Sequence, residues 1–194
     1  MSTAPENTQA ELRSAAHSRN KVSASEMKGI RVEKITLNIG AGTEQDNVEK
    51  AVLLLNKLTG AKVIKTVTQK RIATWKLRPG LPVGAMVTIR GKKADELLKH
   101  LLQAVGLKVK KTSFMKNGFS FGIKEYIEIP GAKYDPKIGI IGLEVAVSLA
   151  RPGFSVKRRK IKPGKVHHKH EISPEEAWNF AQKTLGITAR EEED

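Results

Sequence analysis

Residues 35–60 read ITLNIGAGTEQDNVEKAVLLLNKLTG and carry two hydrophobic periods back to back. Ile35, Leu37 and Ile39 alternate with Thr36, Asn38 and Gly40, the period of two that a half-buried strand requires. Gly40 and Gly42 end the alternation. Asp46 followed by Glu49 then reads as a capping box, and Val48, Ala51, Val52, Leu55 and Leu58 recur at helical spacing until Gly60. The segment is a strand followed by an amphipathic helix.

The chain on the C-terminal side repeats the idea. Residues 63–67 read as a short strand, and a polar, basic stretch runs over 68–82. Val83, Ala85, Val87 and Ile89 then alternate with Gly84, Met86, Thr88 and Arg90. A helix is expected over 94–105, with Leu97, Leu98, Leu101 and Leu102 inward and Gly106 as its stop. Further strands are expected at 119–123, 126–129 and 143–149. Ser173, Pro174 and Glu176 form a second capping box with proline at the first helical position, opening a helix through Trp178 and Ala181 to Gly186. Helices lying between strands that alternate in polarity predict an α+β fold, one sheet face packed on helices and the other open. Residues 27–186 read as one domain. Residues 1–26, rich in Ser and Ala, read as a flexible arm or a weak helix that forms on binding, and 187–194 as an acidic tail.

The 194-residue chain has a net charge of +15, and the excess is localised. Between Lys62 and Lys116 there are fourteen Lys and Arg against Asp95 and Glu96; between Arg151 and His170 there are eight and no acid. Like charge concentrated in this way repels itself unless a polyanion neutralises it, and nucleic acid is the commonest such partner; a merely solvated surface is the plain alternative. With no cysteine there is no disulfide framework, thiolate zinc site or cysteine nucleophile. No apolar run reaches the roughly twenty residues needed to span a bilayer, and the N-terminus has no secretory pattern. A soluble, cytoplasmic protein without a membrane partner is expected.

Several segments carry candidate chemistry. In TQKRIATWKLRPGLPVG, 68–84, the cations Lys70, Arg71, Lys76 and Arg78 surround Trp75, whose indole can stack on a base or serve as a loop anchor in the core. The IGAG turn, 39–42, offers backbone amides at Gly40 and Gly42 to a phosphate but lacks the full GxGxxG and GK[ST] patterns of nucleotide sites. RPGFSVKRRKIKPGK, 151–165, reads as a basic strand-like core between prolines, or as a disordered tail. His167, His168 and His170 form the histidine cluster. Surrounding lysines oppose a dication there, so a polar, RNA-facing stretch is expected and no metal. No nucleophile, base and orienter set is spelled out, so neither an enzyme nor a cofactor is expected. An RNA chaperone without sequence preference and a phosphate-handling enzyme using the Gly40/Gly42 turn are the alternatives.

LNIGAG at 37–42, LTGAKVIKT at 58–66, the run from GFSFGIKEYIEIPGAKYDPKIGIIGLEV to RPGFSVKRRK over 118–160, and KHEISPEEA at 169–177 resemble, in order, the large-subunit ribosomal protein L5 family in its archaeal and eukaryotic form. The resemblance covers roughly residues 28–186. It implies a curved, mostly antiparallel sheet with helices on one face, a long basic loop and a C-terminal helix, and no enzymatic activity. It also implies a structural role in translation: binding 5S rRNA and 23S rRNA in the central protuberance, beside the L18 family protein and other large-subunit proteins. Asn38 and Thr88 match the family's polar 5S rRNA contacts. Gly40, Gly42, Lys62, Arg90, Arg151, Lys157, Arg158, Arg159 and Lys160 complete the expected rRNA-binding set. The loop with Lys70, Arg71, Trp75, Lys76, Arg78, Pro79 and Gly80 matches the one that faces P-site tRNA. The chain departs from the pattern at Ala61, where the family carries a glutamine that contacts 5S rRNA, and at Gln69, where a basic residue is usual.

Overall fold

The computed structural model describes residues 26–189. The arm expected over 1–26 lies outside them except for Glu26, as do residues 190–194 of the acidic tail. The first strand, β1 (Arg31–Gly40), is followed by helix α1 (Gln45–Thr59). Strands β2 (Ile64–Val67) and β3 (Pro82–Arg90) flank the basic loop and lead into α2 (Lys92–Ala104). Next come the short strands β4 (Lys108–Val109) and β5 (Phe114–Met115), then β6 (Gly118–Ile123) and β7 (Leu143–Ala150). A single helical turn α3 (Ser155–Arg158), helix α4 (Pro174–Phe180) running on into a π turn (Ala181–Leu185), and β8 (Thr188–Ala189) complete the fold.

Six strands form one antiparallel sheet in the order β2-β3-β1-β7-β6-β5. Ile35, Leu37 and Ile39 of β1, Ala85 and Val87 of β3 and Val145 and Val147 of β7 face inward. They pack against Ala51, Leu54 and Leu55 of α1 and Leu98, Leu101 and Leu102 of α2. Leu98 and Leu101 are fully buried, each contributing about 2 kcal/mol relative to an exposed side chain. Phe114 stacks on Phe119 and meets Trp178 edge-on at 5.1 Å, which docks α4 on the same side of the sheet. All the longer helices cover one face, as the alternation predicts.

The local signals fare unequally. Ser173 caps α4 by accepting from the Glu176 N–H while Glu176 accepts from the Ser173 N–H, the expected capping box. The box expected at Asp46 does not form. Glu44 is the N-cap of α1, and Asp46 sits in the first turn, where its charge favours the helix dipole. Gly60 ends α1 in the left-handed region, its N–H donating to the Asn56 carbonyl. The strand expected at 126–129 is a 3-10 turn, Tyr126–Glu128, because the buried pair Tyr126 and Ile129 is spaced by three, not two. The Tyr126 hydroxyl accepts from the Asp135 N–H at 3.0 Å, and Lys57 pairs with the Asp135 carboxylate, pinning this loop to α1. Hydrogen bonds, first from Lys57 and then from the Lys137 N–H, hold Asp135 below the usual carboxylate range. Past Gly186 the chain stays in the fold: β8 pairs in parallel with β4, which the periodicity did not indicate in these two-residue segments.

Candidate nucleic-acid interface

On the face away from the helices, cross-strand register aligns the polar phase of the strands into rows. One row runs Arg90, Lys34, Ser148, Gly118; the next Thr88, Thr36, Ala146, Ser120; a third Met86, Asn38, Glu144, Gly122. Most of these side chains are small, so the face is shallow and polar, with a depression of about 450 Å³ over Thr36, Asn38, Ser120 and Glu144. Asn38 is half-buried and Thr88 exposed. They are diagonal neighbours on adjacent strands, roughly 7 Å apart by ordinary sheet geometry. Asn38 Nδ2 donates to Glu144 Oε2 at 3.3 Å. Glu144 lies on the polar phase of β7, but no local motif marks it as a partner of Asn38. Its partner lies 106 residues away, and nothing local joins the two.

The basic loop between β2 and β3 is a hydrogen-bonded hairpin. Thr68 and Leu81 pair at its base, Ile72 and Leu77 exchange two backbone bonds of 3.1 and 3.0 Å, and Lys76 turns the tip with φ +53°. Ile72 and Leu77 are half-buried. Lys70, Arg71, Lys76, Arg78, Pro79 and Gly80 are exposed, and Trp75 is 65% exposed. The indole therefore does not anchor the loop to the core; it is presented to solvent among cations. Lys62 is exposed just before β2, whereas Ala61 packs partly against the core.

The 151–165 segment is ordered but not strand-like. Pro152 and Gly153 turn the chain and residues 155–158 make one helical turn; the Gly164 N–H then returns to the Val156 carbonyl at 3.1 Å. Arg151 is a correction to the expected rRNA-binding set. It is 7% exposed, its Nη2 donates to Glu176 Oε1 at 2.8 Å, and its Nη1 reaches the His170 carbonyl. Its guanidinium holds α4 to the end of β7 and is not offered to a phosphate. The Ser173 N–H, then the Arg151 guanidinium, hold the Glu176 carboxyl below its usual range. Lys157, Arg158, Arg159 and Lys160 are exposed, with Arg158 paired to Glu33 and Arg159 Nε donating to the Lys162 carbonyl at 2.7 Å.

Two other motifs resolve differently. The Ala41 N–H is taken by the Val83 carbonyl, and Glu44 and Asp46 put carboxylates at the start of α1. A phosphate is repelled there, so the Gly40/Gly42 turn does not form a nucleotide cradle. Gly40 instead ends the open face of β1, opposite Gly84. His170 contacts the Pro152 carbonyl at 2.9 Å and lies edge-on to Phe154, an internal packing role. No three metal-ligating side chains converge among the described residues, and no helix there is long and apolar enough to cross a membrane.

A shallow polar sheet face, a cationic hairpin with a solvent-facing indole, and helices confined to the opposite side define a ribonucleoprotein component. Residues 25–78 match the family model of ribosomal protein L5, and residues 82–180 match the model of that ribosomal family's C-terminus. The chain is 52% identical over 162 residues to the large ribosomal subunit protein uL5 of Nanoarchaeum equitans, covering 83% of this chain and 96% of that protein. The proteins of the same name from Sulfurisphaera tokodaii and Methanococcus aeolicus are 44% and 40% identical, over 84% of this chain in each case and 93% and 92% of theirs. The chain belongs to the ribosomal protein L5 family. It is a structural ribosomal protein of archaeal type and not an enzyme.

Proposed function

We propose that the protein is a cytoplasmic constituent of the large ribosomal subunit that joins 5S rRNA to 23S rRNA in the central protuberance, beside the L18 family protein. The observation that carries this reading is the open sheet face. Asn38 and Thr88 stand there as diagonal neighbours, with Thr36, Ala146, Ser120 and Gly122 as small side chains around them, so an RNA strand can approach the backbone closely enough for both to bond base or ribose edges. Lys34 and Arg90, at one end of that face, and exposed Lys62 neutralise phosphates; Lys157, Arg158, Arg159 and Lys160 extend the positive surface past β7. The hairpin, with Trp75 at its tip, reaches away from the sheet toward P-site tRNA. Ala61 contributes no side-chain hydrogen bond, and Lys62 beside it supplies charge instead.

The test is a salt-dependent titration of the full chain against 5S rRNA with a length-matched unrelated RNA as competitor. A preference for 5S rRNA that survives raised salt is expected. Equal binding to both RNAs, collapsing together with salt, would overturn the proposal and favour an unspecific RNA chaperone.

A further inference from the structure

Where β1 meets the 151–166 segment, its pairing with β7 shifts register between Val32 and Lys34. Without that bulge, Glu33 would share the inward phase of Ile35 and Leu37, and a carboxylate would enter the core. The bulge lets Val32 take the inward place opposite Leu149 and turns Glu33 aside, where Arg158 of α3 pairs with it. This ion pair holds α3 against the end of the sheet. Asn117 fixes the returning chain, its N–H donating to the Ile172 carbonyl and its Oδ1 accepting from the Ile172 N–H.

Between these struts lies a cleft of two adjoining depressions, about 480 and 440 Å³, that share Glu33, Phe154 and Arg158. Lys34, Lys116 and Lys157 line the larger one. None of the three is ion-paired among the described residues, and Lys116 and Lys157 are exposed. Two carboxylates enter the cleft: Glu33, engaged by Arg158, and Glu171. Arg31 and Arg159 line the smaller depression. The balance is cationic, and the cleft is continuous with the open face because Lys34 and Ser148 belong both to its lining and to the first row of that face.

We infer that this cleft is a phosphate-binding channel for the RNA that crosses the sheet: the sugar-phosphate backbone leaves the open face at Lys34 and passes between Lys116 and Lys157. The inference rests on the reading of the open face as an RNA surface and adds the path of the strand beyond it. Neither Lys34 nor Lys116 stands out in the sequence, because they lie more than eighty residues apart and only the pairing of β1, β7 and β6 brings them to one edge.

The experiment measures binding of full-length protein to a 5S rRNA transcript at several salt concentrations, for wild type and two triple variants. In one, Lys34, Lys116 and Lys157 become Gln; in the other, Lys93, Lys99 and Lys183, exposed on the helical side, become Gln. The channel predicts that the first triple lowers the slope of log K against log salt by about two and weakens binding at least tenfold at low salt, whereas the second leaves the slope unchanged. A first triple with the wild-type slope, or equal losses in both, would overturn the channel. The reading of the open face fails separately, through loss of preference for 5S rRNA over the unrelated RNA in wild-type protein.

Discussion

Asn38 and Glu144 face each other across β1 and β7, amide to carboxylate at 3.3 Å, on the open side of the sheet. Glu144 is the one acid in the polar rows of that face, and an acid there repels phosphates that arrive without a matching donor. Asn38→Ala and Thr88→Ala should each weaken 5S rRNA binding by about 1 kcal/mol, as lost interface hydrogen bonds do. Glu144→Gln should narrow the ratio between 5S and unrelated RNA by strengthening the unrelated complex. Competition binding at fixed salt checks all three, and unchanged affinities would remove these residues from the site.

Arg151 and Glu176 make an asymmetric pair, the guanidinium 7% and the carboxylate 46% exposed. Glu176→Ala strands a buried cation and is expected to cost about 3 kcal/mol. The double change Arg151→Met with Glu176→Ala removes that cation and should recover the part of the loss due to the stranded charge, leaving the part due to the lost Ser173 cap. Urea unfolding midpoints at constant slope decide it; a double variant no more stable than the single one would show that the stranded charge is not the cause.

The Glu176 carboxylate, held low first by the Ser173 N–H and then by the Arg151 guanidinium, also gives a pH dependence. Glu176 has a folded pKa below its ordinary 4.5, so its contribution to stability is complete above that value and is lost as the pH falls through the lower, folded one. With the carboxylate nearly half exposed, the effect is expected to be about 1 kcal/mol. Stability measured from pH 6 downward should fall less steeply in Glu176→Gln than in wild type; parallel curves would contradict the assignment.

Gly84 lies where β3 passes close to β1, and a Cβ there would strike the Ile39 carbonyl oxygen and press on Thr66 Oγ1. Gly122, on the same open face, has free space at the corresponding point. Gly84→Ala should cost about 2 kcal/mol through strand displacement, with Gly122→Ala much milder. Thermal unfolding of the two variants makes the comparison, and equal melting temperatures would refute the close-approach argument.

Lys70, Arg71, Lys76 and Arg78 sit on a hairpin that extends past the sheet, not on the open face. Reversing all four charges should therefore leave binding of isolated 5S rRNA within about threefold of wild type at 150 mM salt, where screening limits remote charge effects to within roughly 8 Å. A loss of tenfold or more would place the hairpin on 5S rRNA instead of tRNA.

Most of what depends on neighbours a few residues apart was legible in the sequence alone. The period of two at 35–39, 83–89 and 143–149 sets which side chains face inward, because successive side chains on a strand point to opposite faces. Ser173 and Glu176 announce their helix because a capping box closes within one turn. The charge blocks, the hairpin cations and the polar phase holding Asn38 and Thr88 were equally plain. Short local signals were weaker: Tyr126 and Ile129 fit a turn as well as a strand, and Asp46 had a rival cap in Glu44. Tertiary structure alone decided that Arg151 is an internal clamp, that Glu144 meets Asn38, and that a bulge turns Glu33 toward Arg158 while Lys34 and Lys116 line one cleft. The reason is physical: a cation reads the same in a sequence whether it meets water, a phosphate or a carboxylate. That choice is made by strand register and helix docking, which join residues from 25 to more than 100 positions apart.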